Sequence, residues 1–200
     1  MDEDSLFAAR VRRGAALVAG LALGALAAST PARPAATWSI DPARTHIAFS
    51  VDAVGYPRTQ GEFRRFEGSI AVDLDHPARS HVSFRVDAGS VDVGSSSFSD
   101  YVRSVAFLDA PRFPTIDFSS TSVEKLDNRH VRVIGDMTLL GVTLPVVVDV
   151  AVERRAEGSH ARLGFVAKAT IDRLAFGMNS GYPVISRDVE LVISSEAVQS

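Results

Sequence analysis

Cysteine is absent from all 200 residues, which excludes disulfides, thiolate metal sites and a cysteine nucleophile without fixing a compartment. Charge of one sign is also scarce. The formal net charge is -3, and no Lys/Arg-rich stripe interleaves with aromatics, so nucleic acid is not an expected partner. The histidines, His46, His76, His81, His130 and His160, include no pair at metal-ligand spacing and no HExxH, so no metal site is expected. No Gly-x-Ser-x-Gly elbow and no glycine-rich phosphate loop occurs, and Ser95-Ser96-Ser97 reads as loop and helix cap. No catalytic residue is assigned, and the chain is not read as an enzyme. A Ser/His/Asp or metal cluster brought together only in space would reverse that reading.

What is present begins with an export pattern. Arg10, Arg12 and Arg13 precede an uncharged, Ala/Leu/Val/Gly-rich run over 14–28, with small residues at Ala25 and Ala27. This predicts a signal peptide over 1–28, a linker over 29–36 and one folded domain over 37–200, placing the mature protein in the periplasm or outside the cell. The competing transmembrane anchor is disfavoured, because the run falls short of the ~20 apolar residues a spanning helix needs.

Beyond the linker the chain alternates. Ile47, Phe49 and Val51 interleave with Ala48, Ser50 and Asp52; Ile70, Val72 and Leu74 with Ala71, Asp73 and Asp75; Val82, Phe84 and Val86 with Ser83, Arg85 and Asp87. A period of two marks strands with one buried and one wetted face. Further strands are expected at 115–124, 131–139, 144–154, 162–171 and 188–198, joined by short turns such as Asp127-Asn128. One short helix is expected where Ser97 and Asp100 form a capping-box-like pair and Phe98, Tyr101, Val102 and Val105 make an apolar stripe, before Pro111 and Pro114. The fold class is therefore all-β: an antiparallel up-and-down barrel of about eight strands, lipocalin-like, with the helix covering one mouth or flank.

Eleven phenylalanines against three tyrosines and one tryptophan favour aromatics that need no hydrogen-bond partner. The candidate lining of an apolar cavity is Phe49, Val51, Phe63, Phe66, Ile70, Phe84, Val86, Phe107, Phe113, Phe118, Phe165 and Phe176. The same residues would equally fill a solid core, and residue types alone do not separate the two. Arg173 and Asp188 flank a late Gly/Asn/Pro-containing loop and are read as a structural ion pair pinning it.

Five landmarks in order resemble the YceI-like family of bacterial lipid- and polyisoprenoid-binding proteins. They are Asp41-Pro42-Ala43-Arg44-Thr45-His46-Ile47-Ala48-Phe49; Gly61-Glu62-Phe63 with Phe66-Glu67-Gly68; Ser104 to Asp109 with Phe113-Pro114-Thr115-Ile116-Asp117-Phe118-Ser119-Ser120; Gly135-Asp136-Met137-Thr138-Leu139 with Gly141-Val142-Thr143; and Arg173 with Phe176-Gly177-Met178. Departures are Arg44-Thr45 for the usual His-Ser, the loss of a histidine near Ala53, and Ser99-Asp100-Tyr101-Val102 for the usual Arg-Asp-His-Leu. The resemblance implies an elongated barrel that sequesters or carries an isoprenoid lipid, a polyprenyl chain or quinone tail, with no other cofactor. Transient membrane contact for loading and a monomeric or homodimeric state are compatible with it. The alternative is a filled barrel acting in the envelope through its outer surface.

Overall fold

The computed structural model describes residues 36–73, 76–157 and 160–199; the expected signal segment, and the linker up to residue 35, lie outside them. The described residues form eleven strands: β1 (Ala36–Ile40), β2 (His46–Ala53), β3 (Thr59–Phe63), β4 (Phe66–Val72), β5 (His81–Asp87), β6 (Val91–Asp92), β7 (Thr115–Lys125), β8 (His130–Leu139), β9 (Val142–Glu157), β10 (His160–Asp172) and β11 (Ile185–Gln199). One helix, α1 (Ser96–Arg103), lies between β6 and β7.

All pairings are antiparallel, and they close on themselves. The order β1-β4-β5-β7-β8-β9-β10-β11 returns to β1, while β2, β3 and β6 extend the sheet from β11. Three staves of the barrel are thus broken strands. β1 and β2 both lie along β11, with register pairs Trp38↔Gln199 and Ile47↔Ile193. β4 pairs β1 and β3 pairs β2; β5 pairs β4 and β6 pairs β3. Counted as staves, the barrel has the eight strands expected.

The breaks follow from local chemistry. At Asp41-Pro42 a 3-10 turn, Pro42–Arg44, interrupts the first stave; Asp41 accepts from the Ala43 N–H, and proline presets the turn. At Asp87 the same device recurs, its side chain accepting from the Gly89 N–H at 2.8 Å. Charged side chains on the outer faces pair across strands, as Arg85 with Asp117 at 2.7 Å and Arg132 with Asp149 at 3.0 Å.

Because the staves run up and down, their connections fall at two ends. The loops 54–58, 93–114, 140–141 and 173–184 share one end, here the rim; 73–80 and 126–129 share the other. Backbone bonding joins the rim loops, the Val54 N–H donating to the Val184 carbonyl at 2.9 Å.

The helix departs from expectation in its packing. Ser95, not Ser97, is the N-cap and its side chain makes no capping bond; Asp100 accepts from Arg103 at 2.7 Å, and at the other end the Ser104 hydroxyl donates to the Tyr101 carbonyl. The expected stripe is not a buried face either: Phe98 and Tyr101 are 41% and 52% exposed, and Val105 lies beyond the helix at 82%. The fully buried residue is Ser99, whose hydroxyl accepts from the Val93 N–H at 3.1 Å, while Val102 packs against the core and lines its inner side.

Candidate functional site

The alternation that built the strands sends one face of every stave inward, and the inside is hollow. A cavity of about 870 Å³ runs through the barrel, at the upper end of the range for small-molecule sites. Inward residues of β10 (Leu163, Phe165, Ala167, Ala169, Ile171) and of β11 (Val189, Leu191, Ile193, Ala197) make one wall. Val148, Val150 and Val152 of β9 and Val131, Val133, Met137 and Leu139 of β8 continue it. Among the described residues the charged ones at the lining are Asp73, Asp117 and Arg173, and the Asp117 carboxylate is engaged by Arg85 on the outer face.

Two features keep a barrel of this size from filling itself. Small side chains at Ala167 and Ala169 face Phe-bearing walls without reaching across. Inward rings also fold over glycines. A Cβ on Gly61 would sit 2.4 Å from the Phe49 ring, and one on Gly135 2.5 Å from the Phe118 ring. Glycine therefore lets these rings press against the wall, and the lumen stays open.

Of the expected lining residues, Phe49, Val51, Phe63, Ile70, Phe84, Val86, Phe107, Phe118 and Phe165 do face the cavity. Three do not. Phe66, opposite Val86, is half-buried and packs into the core beside the void. Phe113 lies in a rim loop against Gly141, with the Arg112 guanidinium 5.1 Å from its ring centre. Phe176 is 3% exposed and packs within the core from loop 173–184. Phe113 and Phe176 belong to no strand, so alternation does not aim them inward.

The expected Arg173–Asp188 ion pair is also not formed. Arg173 is 1% exposed, and its guanidinium donates to four backbone carbonyls: Ser186 at 2.7 Å, Ser180 and Ile185 at 2.9 Å each, and Met178. Burial pushes its pKa down from the usual value, with Asp172 acting weakly the other way. The ion pair of this region is Arg187 with Asp172, one residue off on each strand. Arg173 is thus an internal hub that ties the rim loop to the start of β11 through their carbonyls.

At the far end, Trp38 packs with Ile70, Leu163 and Ala197. Its indole N–H finds no acceptor. Among the described residues, no group of three or more His, Cys, Asp or Glu is placed to hold a metal ion.

Titration reaches this site weakly. Hydrogen bonding to Arg187 holds the Asp172 carboxyl below the usual range. A depressed folded pKa contributes stability above the unfolded carboxylate range and loses it as pH falls through the folded value, so the rim loop loosens only in strong acid, below about pH 4. Among the described residues no histidine lines the cavity. Affinity for an uncharged apolar probe is therefore expected to stay flat between about pH 5 and pH 8, as fluorescence titration would show; a break near the histidine range would contradict it.

The family description "YceI-like domain" matches residues 38–197. Similar proteins include the UPF0312 protein of Enterobacter sp. (strain 638), 32% identical over 184 residues, covering 90% of this chain and 95% of the relative. Protein YceI of Salmonella arizonae is 31% identical over 184 residues, covering 90% and 96%. Among solved structures, Burkholderia cenocepacia BcnA superposes with a TM-score of 0.71 at 22% identity, covering 79% of this chain and 99% of BcnA. A polyisoprenoid binding domain from Saccharophagus degradans, implicated in plant cell wall breakdown, gives 0.65 at 14% identity, covering 83% and 99%. Both likenesses show the fold.

Proposed function

Given that the chain belongs to the YceI-like family and encloses an apolar lumen, we propose that it binds one isoprenoid-type lipid, a polyprenyl chain or quinone tail, as an exported carrier or sequestering protein. The observation that carries this reading is the open interior: a filled barrel acting through its surface would have no such void. The printed description of the Saccharophagus domain as polyisoprenoid binding supports the same ligand class. Family and site together point to binding rather than catalysis. The basic and apolar pattern over 10–28 supports export to the periplasm, and no cofactor beyond the lipid is invoked.

The driving force is area. Burying roughly 400 Å² of isoprenoid surface is worth on the order of 10 kcal/mol gross, of which ordering and lost free motion consume much. No single contact dominates such a sum. Phe84→Ala is therefore expected to weaken binding of a fluorescent polyprenyl analogue by about 1–3 kcal/mol. Complete loss in a folded variant would contradict diffuse recognition. The direct experiment is native mass spectrometry of the purified protein with organic extraction of its cargo. An isoprenoid of defined mass is expected. Protein that is empty and also fails to take up added polyprenyl analogue would overturn the reading.

A further inference from the structure

The rim is apolar on its outside as well. Of the twelve large hydrophobic side chains that stand exposed among the described residues, Val54, Tyr56, Phe98, Tyr101, Val105, Tyr182 and Val184 all belong to the rim loops and α1. The far end contributes Leu126, and the others are scattered along outward strand faces or at the start of β9. The tyrosines sharpen the pattern. The chain has three, and all are at this end, 72%, 52% and 55% exposed in chain order.

Such a surface on a water-soluble barrel end needs a partner. Tyrosine beside exposed valine suits a boundary that is oily below and wet above, as at the headgroup level of a bilayer. The patch is continuous with the lumen: Tyr56, Phe98, Tyr182 and Val184 also line the cavity. Most of its cations are engaged, the Arg112 guanidinium lying over the Phe113 ring at 5.1 Å. Arg58 lies 2.7 Å from Glu190 and 3.5 Å from Asp52, and Arg103 lies 2.7 Å from Asp100. Neither Lys125, at the end of β7, nor Lys168, within β10, is at the rim.

We propose that this rim is a docking surface for an electrically neutral lipid bilayer, through which the lumen exchanges its lipid. The inference rests on the carrier reading and names where the cargo enters. Val54, Val105, Val184 and the tyrosines dip into the interface, and the mouth between them opens onto the acyl chains, so the hydrocarbon tail passes from bilayer to lumen without crossing water. Binding is driven by apolar burial and does not depend on anionic lipid.

The missing cysteine makes the test direct, since one introduced thiol is the only one to label. An environment-sensitive fluorophore is placed at Val105→Cys or, as the far-end control, at Leu126→Cys in the full chain. With phosphatidylcholine vesicles the position-105 label is expected to shift to an apolar signal that persists in high salt, and the position-126 label to stay aqueous. Labels that both stay aqueous, that shift equally, or that lose the shift in high salt would each overturn the proposal. Separately, Val54→Asp/Val105→Asp is expected to bind a soluble short-chain isoprenyl probe like the parent while slowing extraction of a polyprenyl analogue from vesicles about tenfold or more. Unchanged extraction overturns the docking surface alone. Failure of the parent to bind the soluble probe strikes the carrier reading itself.

Discussion

Arg173→Met is expected to lower the unfolding temperature by roughly 6–20 °C. The guanidinium meets four carbonyls from inside, two of the rim loop and two at the start of β11, and methionine keeps the volume while removing every donor. An unsatisfied buried acceptor costs about 1–3 kcal/mol, and part of the loop near the mouth can recruit water, so a net loss of roughly 3–5 kcal/mol follows. In a domain of this size each kcal/mol moves the midpoint by about 2–4 °C. Lysine should not rescue, because a single ammonium cannot reach carbonyls spread around a planar fork. Asp188→Asn, by contrast, is expected to change stability by less than about 0.5 kcal/mol, as for a surface substitution. Thermal unfolding of the three variants decides the matter: near-parental behaviour of Arg173→Met, or a large loss in Asp188→Asn, would contradict the hub.

Ala169→Trp is expected to reduce affinity for a long-chain isoprenoid by about a hundredfold or more, some 2.7 kcal/mol. Ala169 sits in the rim half of β10, opposite Leu191, and faces the lumen. An indole there projects into empty space, so the overpacking cost of about 1–3 kcal/mol that a filled core imposes should be largely avoided. The protein stays folded and loses its room. The outward neighbour gives the control: Val166→Trp, at a position 40% exposed, should bind like the parent. Titration with a fluorescent polyprenyl analogue reads both. Equal affinity in Ala169→Trp would mean that the cargo does not occupy the barrel axis.

The period of two made the barrel legible, because every stave has one dry and one wet face, and Asp-Pro and Asp-Asn turns fixed where staves end. Nine of the twelve residues named from it for the lumen wall do line the cavity. What it overlooked were the quiet members of the same faces, Ala167, Ala169, Leu191 and Ile193, passed over for phenylalanine although they alternate just as strictly. Phe113 and Phe176 lie elsewhere for the converse reason, residue type having been read without asking whether a strand aims it inward; Phe66 is on a strand but packs into the core beside the void. The rim was harder. A helical stripe of Phe98, Tyr101, Val102 and Val105 normally signals burial, and only coordinates show that most of it looks outward. Nor does a sequence distinguish an arginine that pairs with a carboxylate from one that gathers carbonyls, since backbone acceptors leave no letter in the chain.

The ring is closed by its two extremities, with Trp38, Ser39 and Ile40 hydrogen-bonded alongside Gln199, Val198 and Ala197. During synthesis the opening stave must wait for the closing one, and the longest chain separation in the domain has to be bridged in the final step of assembly. Until then two raw sheet borders are available to any passing strand. A polypeptide clipped before Ile185 would forfeit the neighbour of β10, β1 and β2 at once, and would end as aggregate instead of as a weaker vessel.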